Sequence, residues 1–162
     1  MNLGNLLTAS ALRNPHKAAL IPQEESVSYE QLDATTTSLA QALLAQGYQP
    51  GDRIAYHWPN SIEMAKLLFS CFKAGLIAVP INLLLKAPEI GHMLAKSGAA
   101  MWFTPPSRVS VVREAAQGCA RREIHTSVDA MCDTNSEMVL PGVKSDDAAL
   151  ILECFLRSTS CH

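Results

Sequence analysis

Apolar positions recur along the chain with the spacing of amphipathic helices, each of which buries one apolar face against a sheet. In the first apolar stripe, four leucines share one helical face: Leu32, Leu39, Leu43 and Leu44. Ser28 and Gln31 have the spacing of a capping box just before this stripe, and Gly47 suits the left-handed position that follows a helix. The pattern predicts a helix between Ser28 and Gly47.

A second apolar stripe predicts the next helix. Its members are spaced i, i+3, i+4, i+7 and i+8: Met64, Leu67, Leu68, Cys71 and Phe72. Asn60 or Ser61 is expected to cap this helix, with Glu63 available to close a capping box. Gly75 is expected to end it. Leu68 is predicted to be a core residue, because the stripe must cover a sheet.

Short β-rich runs alternate with the helices. Four of them start near Ile54, Ile77, Ala100 and Glu123, about 23 residues apart. Pro88 is expected as the first residue of an intervening helix that stops at Ser97-Gly98. Another helix is expected to open at Pro105-Pro106-Ser107 and to run to about Gly118. Helices between successive strands predict an α/β fold with a doubly wound, mostly parallel sheet and flanking helices.

The last part of the chain has a weaker pattern. Residues 127–145 lack sustained periodicity and are predicted to form a long connection. Asp146-Asp147 then leads into an apolar run, residues 148–152, which is predicted to be a buried strand. Adjacent acids also occur in metal sites, but a solvated turn is the favoured interpretation here.

Composition and charge narrow the class of protein. The chain has 162 residues, 48% of them hydrophobic and 17% charged, which is typical of one globular domain. The net charge is −2 and no basic run exceeds Arg121-Arg122, so nucleic acid is not an expected partner. No apolar run has the length of a transmembrane segment, and the amino terminus does not resemble a signal peptide. A cytoplasmic location is expected.

Candidate chemical groups are few. The five cysteines form no C-x-x-C pair: Cys71, Cys119, Cys132, Cys154 and Cys161. His125 with Cys132, and Cys161 beside His162, could act as metal ligands or thiol–imidazole pairs, but ordinary imidazoles and inert thiols are the favoured interpretation. No common phosphate-loop, dinucleotide-binding or hydrolase motif occurs in the 162 residues. The sequence assigns no catalytic, cofactor-binding or metal-binding residue.

One polar segment follows a predicted strand. His57-Trp58-Pro59-Asn60 comes at the carboxyl end of the run that starts near Ile54, where ligands of open α/β sheets bind. It could form the edge of a pocket. The favoured interpretation is structural: Asn60 caps a helix and Trp58 packs on the rim of the sheet.

Short motifs at regular intervals point to a family. They are Tyr29 with Leu32, Gly47 with Pro50-Gly51-Asp52-Arg53, Pro59-Asn60-Ser61, Lys73-Ala74-Gly75, Val79-Pro80-Ile81-Asn82 and Ser97-Gly98-Ala99. Their succession between residues 27 and 103 resembles the amino-terminal part of the adenylate-forming acyl-CoA synthetases, the AMP-binding ligases. The resemblance implies turns and helix ends for Pro50-Gly51-Asp52 and Lys73-Ala74-Gly75.

The resemblance also implies an activity. Such ligases join a carboxylic or fatty acid to ATP with Mg²⁺, release pyrophosphate, and transfer the acyl group from the adenylate to coenzyme A. Their ATP phosphates lie in a Thr/Ser/Gly-rich loop after a strand like residues 147–152, but residues 153–162 contain no glycine and no lysine. Residues 1–152 are therefore expected to be an incomplete amino-terminal portion of the AMP-binding domain, with 153–162 as an aberrant or truncated tail and no activity of its own.

Two alternatives remain open. One is a non-catalytic interaction module that pairs or self-associates through an unpaired sheet edge. The other is a small flavodoxin-like ligand-binding protein that uses the ends of its strands. The identity of the acid cannot be read from this part of such a ligase.

Overall fold

A computed structural model describes residues 3–21, 26–117, 123–132, 138–144 and 146–152. Its helices are α1 (Leu3–Arg13), α2 (Tyr29–Ala45), α3 (Ile62–Ala74), α4 (Ala87–Ser97), α5 (Val109–Ala115) and α6 (Asp129–Cys132), with a 3-10 turn at Pro106–Arg108. Its strands are β1 (Ala18–Leu20), β2 (Val27–Ser28), β3 (Arg53–Tyr56), β4 (Ile77–Pro80), β5 (Met101–Phe103) and β6 (Glu123–His125). None of the helices in these ranges is both long enough and apolar enough to cross a membrane.

Strands β3 to β6 form one parallel sheet in the order β4-β3-β5-β6. Helices cover both faces of the sheet. Successive residues of a strand project to opposite sides, so each strand has apolar residues on both faces that the helices cover. On one face, α2 and α3 pack on Ile54 and Phe103. On the other face, α4 and α5 pack on Val79 and Trp102. The predicted α/β class, with a doubly wound parallel sheet, is confirmed.

Helix ends mostly follow the local signals. The predicted capping box is confirmed: the Gln31 N–H donates to Ser28 Oγ (3.2 Å) and the Ser28 N–H donates to Gln31 Oε1 (2.9 Å). Gly75 and Gly98 end α3 and α4 with φ angles of 71° and 62°, in the left-handed region that favours glycine.

Several predicted boundaries are wrong. Ser61, one of the two expected caps, is the residue that caps α3, by accepting a hydrogen bond from the Met64 N–H (3.3 Å). The expected capping box with Glu63 is wrong, because Glu63 occupies the second helical position and not the third. Helix α4 starts one residue before Pro88. Helix α5 ends at Ala115, and Gly118 lies outside the described residues. The connection predicted at residues 127–145 includes the short helix α6.

The amino-terminal elements were not predicted from the sequence. Helix α1 packs against α2 and α3, and β1 and β2 form a separate antiparallel pair just before α2. The two strands have three and two residues, too few for an alternating pattern to be recognised.

The strand predicted at residues 148–152 is reduced to one parallel bridge between Leu150 and Ala78 on the outer side of β4. The Ala78 N–H donates to Ala149 O, and the Ile151 N–H donates to Ala78 O, both at 3.0 Å. Leu150 and Leu152 are 41% and 72% exposed, so the prediction of a buried strand is wrong for this segment. The reason is its place at a sheet edge, where it pairs with one strand only.

This edge is expected to open locally before the sheet does. Hydrogen exchange should show the Ile151 amide exchanging faster than the Ile81 amide, which donates to Tyr56 O (2.8 Å) inside the sheet. Equal protection of the two amides in a monomeric sample would contradict this expectation. Self-association through an unpaired sheet edge stays a prediction, and sedimentation of the chain over a range of concentrations tests it.

Candidate ligand pocket at the carboxyl edge of the sheet

The carboxyl ends of the parallel strands meet at one edge of the sheet. The His57 N–H donates to Phe103 O (2.8 Å), and the Thr104 N–H donates to His125 O (3.0 Å), so the chains stay in register just beyond β3 and β5. The strand order reverses between β3 and β5. In open α/β sheets, ligands bind at this edge near such a reversal.

His57 lies inside the molecule rather than at the rim of a pocket. Its side chain is fully buried, and neither ring nitrogen has a hydrogen-bond partner within the described ranges. Burial, followed by the charge of Arg108, lowers the pKa of His57 below its ordinary value, although the backbone of Asn82 and Leu83 acts in the opposite direction. The imidazole is therefore neutral at pH 7.

More buried polar atoms lie on the same side of the sheet. Tyr56 and Phe103 are in register, so His57 and Thr104, one residue later, project toward the side of α4 and α5, as Trp102 does. Within the described part of the chain, buried atoms without a partner on this side are His57 Nδ1 and Nε2, Trp102 Nε1, Thr104 Oγ1 and Arg108 Nε. Trp102 Nε1 and Arg108 Nε act only as donors. This side of the sheet therefore holds buried hydrogen-bond donors that have no acceptor among the described residues.

Arg108 reaches back to the turn that follows β4. Its Nη2 donates to Leu83 O. The turn is closed by Asn82, whose Oδ1 accepts from the Leu84 N–H (2.9 Å) and whose carbonyl accepts from the Leu85 N–H (3.2 Å). The hydrogen bond from Arg108 Nη2 to Leu83 O holds the guanidinium beside this turn.

An open pocket of about 580 Å³ lies between the turn, the start of α4, and the 3-10 turn with α5. Its charged lining residues are Lys86, Arg108 and Glu114. The other lining residues are Leu83, Leu84, Leu85, Ala87, Pro88 and Val111. The volume suits a small-molecule ligand, and two cations against one anion favour a negatively charged group.

None of the residues in the segment His57-Trp58-Pro59-Asn60, which follows β3, lines the pocket. Trp58 is half-buried against the α2 and α3 core, as the structural interpretation predicted. Asn60 is exposed and is not the helix cap. Of this segment, only His57 belongs to the buried polar group beside the pocket.

The two aspartates form a turn. Asp147 Oδ2 accepts a hydrogen bond from the Lys144 N–H (2.8 Å), and both aspartates are exposed, which fits the favoured interpretation. Across the described ranges, no cluster of three or more His, Cys, Asp or Glu residues could hold a metal ion.

The histidine and cysteine candidates give no second site in the part of the chain that can be described. His125 packs on Phe103 with ring centroids 5.4 Å apart, and its Nε2 lies 3.6 Å from Glu123 Oε2. The Cys132 side chain, Cys161 and His162 lie outside the described residues, so both proposed pairs stay untested. Cys71 is buried, and burial raises the pKa of its thiol to about 12, which makes that thiol unreactive at neutral pH.

Sequence reasoning missed the pocket. Arg108 and Leu83 are 25 residues apart, and only the fold brings them together. A usable signal existed, because Pro105-Pro106-Ser107-Arg108 follows a strand directly and so had to lie at the carboxyl edge.

A family model and curated relatives match this chain. The model, described as AMP-binding enzyme, matches residues 7–152. A feruloyl-CoA synthase from Amycolatopsis sp is 35% identical over 150 residues, which cover 93% of this chain and 30% of that protein. The chain thus spans about a third of the length of the curated relative it matches.

Solved structures have the same fold. A fatty acyl CoA synthetase from Mycobacterium tuberculosis has a TM-score of 0.81 and 28% identity, over 93% of this chain and 32% of that one. A benzoate CoA ligase from Burkholderia xenovorans LB400 has a TM-score of 0.84 at 20% identity, over 93% of this chain and 32% of that one, and shows the fold alone. On the family match and the identity to the feruloyl-CoA synthase, the chain belongs to the AMP-binding enzyme family.

Proposed function

We propose that the chain is the part of an ATP-dependent carboxylate–CoA ligase that receives the phosphorylated end of coenzyme A. The observation that carries this proposal is the pocket of about 580 Å³ with Lys86 and Arg108 in its wall. The family match over residues 7–152 supports the proposal that residues 1–152 are an amino-terminal portion of the AMP-binding domain. Residues 153–162 lie outside the described residues, and their assignment as a tail stays a prediction.

The chemistry of the pocket fits coenzyme A. A guanidinium binds phosphate oxygens through paired hydrogen bonds, and Arg108 Nε is buried without a partner among the described residues. Lys86 adds a second positive charge at the exposed side of the pocket. Leu83, Leu84 and Leu85 offer apolar surface to a nucleotide base. A phosphorylated nucleotide has both the charge and the flat apolar group that this lining accommodates.

The other substrates are assigned to other parts of the ligase. The ATP phosphates would bind in the loop that the resemblance places after residues 147–152, and the carboxylic or fatty acid and Mg²⁺ would bind in other parts of the ligase, outside this pocket. The whole reaction, formation of the acyl-adenylate and then of the CoA thioester, is part of this proposal. A cytoplasmic location, where ATP and coenzyme A are available, is proposed with it.

Binding of coenzyme A tests the proposal. Calorimetric titration should show saturable binding of coenzyme A, and pantetheine, which lacks phosphate groups, should bind at least about tenfold more weakly. Arg108→Gln should weaken coenzyme A binding by about tenfold or more, because it removes the guanidinium. Arg113→Gln is the matched control: Arg113 is exposed on α5, the helix that follows Arg108, and does not line the pocket. Absence of coenzyme A binding, or equal losses in the two variants, would contradict the proposal.

ATP is expected to behave differently from coenzyme A. The 162-residue chain should give no saturable heat with Mg-ATP, because residues 153–162 contain neither glycine nor lysine to supply the implied phosphate loop. Coenzyme A under the same conditions serves as the positive control. A micromolar dissociation constant for Mg-ATP would refute this expectation and would favour a complete ligand-binding protein.

A further inference from the structure

One wall of the pocket carries three different kinds of side chain at regular intervals. Arg108 ends the 3-10 turn, Val111 and Glu114 follow it on α5 at steps of three residues, and all three line the pocket. Six residues of helix correspond to about 9 Å, so the backbone positions of the cation and the anion lie at opposite ends of this wall. The wall therefore offers a cation, an apolar surface and an anion in that order.

The carboxylate of Glu114 is not neutralised by the cations of the pocket. Glu114 is exposed, and among the residues that the structure describes it forms no ion pair with Lys86 or Arg108. Its backbone is held against the opposite wall, because a Cβ atom added to Gly91 of α4 would lie only 3.0 Å from Ala115 O. The pocket thus has a hydrogen-bond acceptor at a fixed place, away from its guanidinium.

A carboxylate and a guanidinium select opposite ends of a nucleotide. A carboxylate repels phosphate and only accepts hydrogen bonds, so its partner must be a donor. The exocyclic amine of adenine is such a donor, and glutamate is among the side chains that accept from the amine of a base. In adenosine bisphosphate, the nucleotide part of coenzyme A, the sugar separates the phosphates from the base. This arrangement matches the separation of Arg108 and Glu114 along the pocket wall.

We propose that Glu114 is a specificity-determining residue that accepts a hydrogen bond from the exocyclic amine of adenine while Arg108 binds phosphate. This role rests on the proposed function of the pocket and extends it from the phosphates of coenzyme A to its base. It also bears on the acyl acceptor. Phosphopantetheine attached to a carrier protein has a phosphate but no base, so a pocket with this wall favours free coenzyme A.

Titration calorimetry with two nucleotides tests the role of Glu114. They are adenosine bisphosphate and inosine bisphosphate, in which an oxygen replaces the amine. The parent chain should bind the adenosine form about tenfold more tightly, as expected for one hydrogen bond to a charged acceptor. In Glu114→Gln this preference should fall to about twofold or less, because an amide can accept from the amine or donate to the oxygen. Arg108→Gln should weaken both nucleotides by the same factor and keep the preference.

Glu63→Gln is the matched control. It removes the same charge from α3, on the other face of the sheet and outside the pocket, so it should leave both dissociation constants unchanged. Glu114 is exposed, so Glu114→Gln should fold as the parent chain does.

The outcomes separate the two proposals. Equal binding of the two nucleotides, or a preference that survives in Glu114→Gln, would overturn the role of Glu114, and binding of coenzyme A to the same sample would leave the ligand assignment standing. A preference for the adenosine form that disappears in Glu114→Gln, in a chain that does not bind coenzyme A, would support base recognition and refute the ligand assignment. If neither nucleotide nor coenzyme A binds, both proposals fail.

Discussion

Replacing Asp33 with alanine is expected to lower the free energy of unfolding by about 3 kcal/mol, because it leaves a buried ammonium group without its counter-ion. Lys73 Nζ lies 2.7 Å from Asp33 Oδ1, and the two side chains are only 4% and 22% exposed. Lys73 also donates to Asp33 O (2.8 Å) and Thr37 Oγ1 (2.8 Å), and Thr8 Oγ1 donates to Asp33 Oδ1 (2.7 Å). The ion pair thus joins α1, α2 and α3. The partial exposure of Asp33 puts the expected loss at the low end for a buried pair.

Lys73→Met is the matched control for Asp33→Ala. It removes the charge from the buried position and leaves Asp33 partly exposed with its Thr8 donor, so it should cost about 1 kcal/mol. Urea unfolding at pH 7 measures both variants. If Lys73→Met is as destabilising as Asp33→Ala, the loss comes from packing and not from an unpaired charge.

The effect of Asp33→Ala should depend on pH in a defined direction. Burial lowers the pKa of Lys73 below its ordinary value of 10.5, and Asp33 opposes that shift. Without Asp33 the pKa in the folded state falls further, so between that lowered pKa and 10.5 the unfolded chain binds more protons than the folded chain. Stability of the variant therefore rises with pH in this window, and its deficit relative to the parent should shrink. A deficit that grows toward pH 10 would contradict this assignment.

Local signals were sufficient where a few adjacent residues determine the structure. The capping box of Ser28 and Gln31 and the left-handed Gly75 depend on contacts within one helical turn, and both predictions are confirmed. The alternation of helices and strands likewise predicted the sheet class. The choice between Asn60 and Ser61 as a cap was less certain, because both residue types can accept the same backbone donor.

Features that join distant parts of the chain were not predictable in this way. Lys73-Ala74-Gly75 was interpreted as a helix end, and only the fold shows that Lys73 pairs with Asp33, 40 residues earlier. Arg108 meets Leu83 across 25 residues. No pattern near His57 indicates that its side chain is fully buried. The candidate pocket was therefore missed even though the edge at which it lies was predicted.

In helix α3, the apolar stripe predicted the buried face of the helix but not how deeply each residue is buried. Leu68 was predicted to be a core residue, but it is half-buried and borders the core, whereas Leu67 is 1% exposed within it. The spacing of an apolar stripe fixes the helix face only to within about one residue, because adjacent stripe members are rotated by about 100°. The stripe was correct, and the sheet lies nearer to Leu67.

Leu67→Ala is therefore expected to cost about 2 to 5 kcal/mol of unfolding free energy, through lost apolar burial and the cavity left in the core between α2, α3 and the sheet. Leu68→Ala should cost only about 1 kcal/mol, because part of that side chain already contacts water and its removal leaves a surface depression. The two substitutions change helix propensity equally, so their difference reports burial alone. Urea unfolding with unchanged m-values measures the difference. Losses in the reverse order would show that α3 is rotated by one residue and presents Leu68 to the sheet.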